Sequence, residues 1–387
     1  MSEHKTQQTF PTWLMILFQF VIVFLSIAIG YFGRGMFDRY RGDLPLLNEA
    51  KEILIQNTIL EIPDNPALEY GMIRGMLAVM EDPYTHFIEP AVHEIRTNEL
   101  AGRFGGVGVR LERDTEANWR LYPLPDSPAL AAGVQDGDLL KAVDDLEITS
   151  ETEELDLVSA IRGPEGETVN LTIQRENEQI TLTIARQWVP LPSITWHLLP
   201  ETPQIGVIRV HRIADTTADE IEEGVEDLLE KGIEALIVDL RDNGGGLVEA
   251  GVRIARLFLG SGEVMSQSFK GEAVNTFGVE QPGPFVDLPL VLLINNHTAS
   301  SAEIVAGALS THQRADLIGT ATHGKTSIQY IFELQDGSSV NITSGRWWVP
   351  GVDFPLVPDF EVSDDLNGVV LMQTAINVLE PLLQTQP

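Results

Sequence analysis

The chain has 387 residues, enough for two or three domains that each bury a hydrophobic core. It carries 25 Lys and Arg against 57 Asp and Glu, a formal net charge of -32, and so acidic a surface argues against binding to the phosphate backbone of nucleic acids. The sequence has no cysteine, which excludes disulfides, thiolate metal sites and a cysteine nucleophile.

The N-terminal part contains an apolar segment, Trp13–Phe32, of twenty residues without a charge. About 20 apolar residues cross a bilayer, whereas the apolar region of a secretory signal has about 7–15. We therefore predict a membrane anchor and juxtamembrane segment at residues 1–42. A cleaved signal peptide, suggested by Ser26-Ile-Ala28, is the alternative. Three arginines follow the span and one lysine precedes it, which opposes an external body by the positive-inside rule.

The next segment, residues 43–98, is predicted to be helical. Asn65 is suited to cap a helix and Pro66 to occupy its first position. Helical spacing is also present earlier, in Leu46, Leu47, Ala50, Ile53 and Leu54. Residues 99–188 differ, because they combine short β-like runs with glycines and turn residues, and they are predicted to form a separate domain.

The last segment, residues 189–387, alternates strands with helices. Strands are predicted at 205–210, 235–240 and 290–294, and an amphipathic helix between the first two closes at Gly232. This order predicts an α/β fold with a mostly parallel sheet, whose functional loops lie at the carboxyl ends of the strands.

Three groups that could take part in catalysis lie at such strand ends. Gly244-Gly-Gly246 lies between a strand and a helix, where backbone N–H groups converge on an anion. Ser300 precedes a helix within a run of small residues, and Lys325 follows Gly324. A serine hydroxyl needs a base, and a buried lysine supplies one because burial depresses its pKa by up to about 3–5 units.

These motifs resemble those of the carboxyl-terminal processing peptidases, a family of tail-specific, PDZ-containing serine peptidases of the Ser/Lys type. The nucleophile stretch is similar to Thr298-Ala-Ser-Ser-Ala-Glu-Ile304, and the lysine stretch to Gly324-Lys325. Asp82–Phe87 and Arg346–Pro350 are further landmarks. The resemblance covers roughly residues 45–360.

The resemblance implies roles for individual residues. Ser300 would be the nucleophile, Lys325 the general base, and Gln329 the residue that orients the lysine. The backbone N–H groups of Gly245 and Ser301 would form the oxyanion hole. The implied fold is a crotonase/Clp-like peptidase core with an inserted PDZ domain, an N-terminal transmembrane helix and a helical segment.

The resemblance also identifies residues 99–188 as a PDZ domain. Phe104–Val109 is similar to the carboxylate-binding loop, and Ser127–Asp138 to a second landmark. The implied peptide-binding residues are Gly105, Gly106, Val107 and Gly108. Such a domain captures an extended apolar C-terminus by strand addition. Arg162 is a candidate for coupling the PDZ domain to the active site.

The chain departs from the family pattern at three positions. Gly244 stands where the family usually has proline, His297 replaces a glycine, and Ala302 replaces a serine. Two alternatives for the chemistry stay open: Ser301 as the nucleophile, and His297 or His323 as the base. No metal or cofactor is expected, since the histidines lack metal-ligand spacing.

We therefore expect a membrane-anchored serine endopeptidase with an extracytoplasmic body, which takes proteins or peptides with apolar C-termini as substrates. The family also implies a homodimer built by residues 43–90 and Val369–Leu379. One rival hypothesis is a PDZ scaffold with an inactive peptidase core. The other is a coenzyme-A thioester enzyme, which would need neither a PDZ domain nor a lysine.

Overall fold

The computed structural model describes residues 44–63, 65–363 and 368–383. The chain divides into two compact units, Met1–Gly71 and Met72–Pro387. Within the described ranges, no helix combines the length and apolarity needed to cross a membrane. The predicted anchor, Trp13–Phe32, lies outside those ranges.

The helices are α1 (Pro45–Asn57), α2 (Asn65–Ala78), α3 (Pro90–Ala101), α4 (Pro128–Ala131), α5 (Glu154–Ile161), α6 (Thr217–Glu230), α7 (Val248–Phe258), α8 (Ser301–Thr311) and α9 (Val369–Leu383). The first strands are β1 (His86–Ile88), β2 (Arg103–Gly106), β3 (Val109–Arg113), β4 (Trp119–Pro123), β5 (Asp138–Val143), β6 (Leu146–Glu147), β7 (Thr168–Arg175), β8 (Glu178–Ala185) and β9 (Gln187–Pro190). The remaining strands are β10 (Ile194–Leu198), β11 (Ile205–Val210), β12 (Ala235–Asp239), β13 (Glu263–Phe269), β14 (Asn275–Gly278), β15 (Leu290–Ile294), β16 (Asp316–Gly319), β17 (Ser327–Glu333), β18 (Ser339–Trp348) and β19 (Phe360–Glu361).

The helical prediction for the N-terminal segment is confirmed at α1 and α2. Pro45 stands at the start of α1, where its fixed φ suits a first turn and its missing N–H is not needed. No residue of α1 is buried, and Leu46 is 78% exposed.

A small antiparallel sheet forms the region predicted as the PDZ domain. Its strand order is β3-β4-β5-β7-β8, with β6 paired to β5. Strand β3 lies at one edge, so among the described strands it pairs with β4 alone. The sheet and α5 share a buried apolar cluster that includes Leu121, Leu157 and Leu171. Buried Asp138 accepts a 2.7 Å hydrogen bond from Arg175, which ties β5 to β7.

The core sheet has the order β10-β11-β12-β15-β16-β19. Strand β10 is antiparallel to β11, and the other four pairings are parallel. Alternate side chains of the strands point to opposite faces, and both faces are buried. Ile208 and Val238 pack with α6, α7 and α8, while Val207 and Ile237 pack with α9. Burial on both faces explains the uninterrupted apolar runs from which these strands were predicted. The predicted α/β fold is confirmed.

A second sheet lies in the same unit and has the order β1-β18-β13-β14, with β17 paired to β18. Strand β1 pairs with β18 through His86 and Asn341, which brings an early segment of the chain beside a strand near its C-terminal end. Strand β17 begins two residues after Lys325. This sheet therefore forms one side of the candidate site.

Candidate active site

A cleft with a volume of about 450 Å³ lies between the glycine loop, the start of α7 and strand β17. Ser300, Lys325, Gln329 and Gly245 all line it, so the structure brings together four of the predicted site residues. Apolar side chains supply much of the remaining lining, including Leu247, Val248, Phe269, Ile328 and Tyr330. We call this space the Ser300 cleft.

Ser300 occupies a strained turn between β15 and α8. Its backbone has φ 58° and ψ -125°, a conformation that residues other than glycine rarely adopt. The residue is 8% exposed, and its side chain reaches the cleft. Residues held in this way cost about 1–3 kcal/mol each and cluster at active sites.

The backbone around Ser300 is held by Glu303, a completely buried carboxylate in the first turn of α8. One of its oxygens accepts hydrogen bonds from the N–H groups of Ser300, at 2.8 Å, and Lys325, at 3.0 Å. The other oxygen accepts from the Gly324 N–H and the Thr322 hydroxyl, both at 2.6 Å. Glu303 therefore fixes the two candidate catalytic residues relative to each other.

Lys325 lies in the loop between β16 and β17. Burial lowers the pKa of its amine below the ordinary 10.5, while the negative charges of Asp82 and Glu303 act in the opposite direction. The Nζ atom lies 4.6 Å from the centroid of the Tyr84 ring. The net lowering of the pKa is the direction that a general base requires.

The hydrogen bonds that the predicted catalytic roles require are not formed in this arrangement. Within the described residues, no hydrogen bond joins the Ser300 hydroxyl to the Lys325 amine, or the Gln329 amide to that amine. The Gln329 side-chain N–H group donates instead to Ser327 Oγ at 2.9 Å and to Thr343 Oγ1 at 3.2 Å. The Gln329 amide is therefore engaged with strand side chains and not with the lysine amine.

The predicted oxyanion-hole residues lie beside the nucleophile. A Cβ atom added to Gly245, whose φ is +92°, would lie 2.8 Å from Ser300 Cβ and 3.0 Å from the Ser301 nitrogen. The Gly245 N–H, however, donates to Asn243 Oδ1 at 2.8 Å. Asn243 is fully buried, and its backbone oxygen accepts from the Ala299 N–H at 2.9 Å. The asparagine thus connects the glycine loop to the turn that carries Ser300.

The alternatives for the chemistry find less support in the geometry. Ser301 Oγ is buried without a hydrogen-bond partner in the described part of the chain, and Ser301 does not line the Ser300 cleft. His297 lies 3.3 Å from Asp242, but its side chain is 69% exposed. Neither His297 nor His323 lines the cleft.

The predicted peptide-binding loop runs from β2, which pairs with β9, to β3, the edge strand of the small sheet. Gly105 and Gly106 belong to β2, and the Gly105 backbone oxygen accepts a hydrogen bond from the Gly163 N–H at 3.2 Å. Val107 is buried, and Gly108 has a φ of +70°. The exposed edge of β3 follows directly, so the loop leads into a strand that is free to pair with a peptide.

The sequence argument did not identify three residues that the structure places at the site: Glu303, Asn243 and Tyr84. For Glu303 a signal exists, because Ser300-Ser-Ala-Glu303 is a capping-box pattern before a helix. Tyr84 lies within the landmark Asp82–Phe87, and Asn243 directly precedes the glycine motif, but neither was given a role. Within the described ranges, no group of three or more His, Asp or Glu side chains is placed to hold a metal ion.

Comparison with known proteins agrees with the motifs. Residues 204–362 match Peptidase family S41, and residues 121–175 match a PDZ domain. A carboxyl-terminal-processing protease of Picosynechococcus sp. is 31% identical over 319 residues, which cover 81% of this chain and 74% of that protein. The protein of the same name from Synechocystis sp. is 33% identical over 288 residues, or 73% and 67%.

Among solved structures, a photosystem II D1 C-terminal processing protease is 29% identical, and the match covers 83% of this chain and 89% of that one. The TM-score of this match is 0.46. The family follows instead from the identity and coverage of the sequence relatives. The chain belongs to the carboxyl-terminal-processing serine proteases of Peptidase family S41.

Proposed function

We propose that this protein is a serine endopeptidase that uses Ser300 as nucleophile and Lys325 as general base, and that it cleaves proteins near C-termini captured by its PDZ domain. One observation carries the proposal: Ser300, which is strained and buried, and Lys325 line one cleft, and their backbone N–H groups bind the same carboxylate oxygen. We also propose that the core sheet has the crotonase/Clp-like arrangement implied by the family.

The reaction would proceed in two halves. As Ser300 Oγ bonds to the substrate carbonyl carbon, its proton moves to the neutral Lys325 amine and the carbonyl oxygen becomes an oxyanion. Collapse of this intermediate breaks the C–N bond, and the leaving amine takes the proton from Lys325. Water then attacks the acyl-enzyme with Lys325 again as base, which releases the new C-terminus and restores Ser300.

The oxyanion needs donors that are in place before charge develops. The Ser301 N–H is at the start of α8, where the helix dipole favours negative charge. The Gly245 N–H would join it once its bond to Asn243 is exchanged for one to the oxyanion. Loss of one such donor costs about 2.7–4 kcal/mol of transition-state stabilisation.

Capture by the PDZ domain would determine where a protein is cut. The free edge of β3 would pair with the last residues of the substrate, and the loop of Gly105–Gly108 would hold the terminal carboxylate. The apolar lining of the Ser300 cleft, with Phe269 and Tyr330 stacked at a 4.7 Å centroid distance, supports apolar side chains next to the scissile bond.

Cleavage of a fluorogenic peptide with a free apolar C-terminus tests the proposal. We expect activity in the wild type, loss in Ser300→Ala and in Lys325→Met, and retained activity in Ser301→Ala. Amidation of the peptide's C-terminus should raise KM, since it removes the carboxylate that the loop would bind. If the wild type binds this peptide but never cleaves it, the rival hypothesis of a PDZ scaffold with an inactive core replaces the peptidase.

We further propose that Trp13–Phe32 anchors the protein in the cell membrane with the body on the extracytoplasmic side. Protease protection in right-side-out vesicles tests the orientation: digestion of the body supports it, and a body protected inside these vesicles would reverse it. A homodimer is proposed from the family alone. Light scattering of the purified chain measures its mass and so tests this proposal. One side of α9 is buried against the core through Leu371, Ala375 and Leu379.

A further inference from the structure

The amine of Lys325 lies over the face of an aromatic ring. Its Nζ atom is 4.6 Å from the centroid of Tyr84, within the distance at which a cation is attracted to a ring face. No hydrogen bond from this amine to another described residue competes with the contact. Among the hydrogen bonds, ion pairs and ring contacts of the described residues, the Tyr84 ring is thus the partner of the amine.

Tyr84 is itself held in place by the turn before β1. Its N–H donates to Asp82 Oδ1 at 3.1 Å, and its backbone oxygen lies 3.0 Å from His86 Nδ1. The turn is also tied to β18, because Thr85 Oγ1 accepts from the Thr343 N–H at 3.1 Å. The backbone that carries the ring is therefore held by contacts that do not involve the lysine.

Two opposing influences act on the amine. Burial disfavours its positive charge, whereas Asp82, before β1, and Glu303, on α8, favour it. The negative face of the Tyr84 ring also favours the positive charge. Because this attraction is directional, it determines where the charged amine rests. Tyr84 therefore combines an electrostatic and a geometric effect on one atom.

We propose that Tyr84 is a positioning residue for Lys325: its ring face holds the protonated amine in the resting enzyme, and the amine leaves the ring for Ser300 when it loses its proton. The second half of this statement rests on the proposed peptidase function, but the first half does not. The resting contact is a property of the folded chain, which can be measured without substrate.

A titration of the Lys325 side chain by ¹³Cε NMR tests the resting contact. The chain has six lysines, so Lys325→Met identifies the resonance by its loss. In Tyr84→Leu, which keeps apolar bulk but removes the ring face, we expect the pKa of Lys325 to fall by about half a unit to one and a half units. In Tyr84→Phe, which keeps the face, it should hardly change. Tyr122→Leu, in the small sheet, is the matched control and should leave it unchanged.

A ring that only excludes water gives a different result: Tyr84→Leu would then leave the pKa of Lys325 unchanged or raise it, and that outcome overturns the proposal. If the leucine variant does not fold, as judged by circular dichroism, Tyr84→Met serves in its place with the same expectations.

Kinetics test the second half. The acidic limb of the kcat/KM profile should move to lower pH in Tyr84→Leu by the same amount as the NMR titration, and stay in place in Tyr84→Phe. A limb that does not move while the NMR pKa does would show that Lys325 is not the base. A wild type without peptidase activity would reject the proposed function, while the NMR result still decides the role of Tyr84.

Discussion

Replacement of Glu303 by glutamine tests whether the catalytic residues are fixed through one carboxylate. The wild-type side chain is fully buried and accepts four hydrogen bonds, three of them from backbone N–H groups. Glutamine keeps one acceptor oxygen and turns an NH₂ group toward donors. At least two donors, from Ser300, Thr322, Gly324 or Lys325, then lose their acceptor.

Each buried donor left without an acceptor costs about 1–3 kcal/mol, so Glu303→Gln should lower the free energy of unfolding by about 2–6 kcal/mol. The fraction of the variant that remains folded should have kcat/KM reduced about 100-fold, because a misplacement of about 1 Å at a reacting group has that effect. Chemical denaturation and peptide cleavage measure the two quantities.

The matched control is Glu223→Gln, an exposed glutamate on α6, which should change the free energy of unfolding by less than about 0.5 kcal/mol. The reasoning is refuted if Glu303→Gln behaves like this control in denaturation and keeps kcat/KM within about threefold of wild type. Such a result would mean that the backbone of Ser300 and Lys325 is positioned without the carboxylate.

Three further predictions concern the same site. Gly245→Ala should lower the free energy of unfolding by about 1–3 kcal/mol, because the φ of Gly245 is +92° and the new Cβ would meet Ser300. In the control Gly244→Ala the new Cβ meets no atom within 4 Å, so the free energy of unfolding should not change. Equal effects of the two substitutions in denaturation would contradict the prediction. Ser300→Gly should be about 1 kcal/mol more stable than Ser300→Ala, since glycine relieves the strain at φ 58° and alanine keeps it; an alanine variant of equal stability would show that no strain exists. The pH dependence of stability should reflect Lys325, whose pKa is lowered in the fold, so that the unfolded chain binds more protons between that lowered value and 10.5. The free energy of unfolding that depends on this group therefore rises with pH across that window and is lost as pH falls through the folded pKa. The excess in free energy of unfolding of Lys325→Met over wild type should be largest below the window and shrink as pH approaches 10.5. An excess that does not depend on pH would contradict the lowered pKa.

Much of the core could be predicted from the sequence, because its signals are local. The apolar runs at 205–210 and 290–294 form strands with those bounds, and the strand predicted at 235–240 ends one residue earlier. The glycines at 244–246 and the small residues before Ser300 mark two turns at strand ends. Neighbouring residues decide each of these features through periodicity and turn chemistry.

Contacts between distant segments decided the rest of the site. Tyr84 reaches Lys325 because β1 pairs with β18, and Asn243 reaches the turn of Ser300 through its backbone oxygen, which accepts from the Ala299 N–H. The state of the lysine amine likewise depends on burial by elements far from it in the chain. The sequence by itself determined which residues are the candidates for the chemistry and at which strand ends they lie. Only the tertiary structure decided the hydrogen bonds and the protonation of those residues, because both depend on partners that no local pattern specifies.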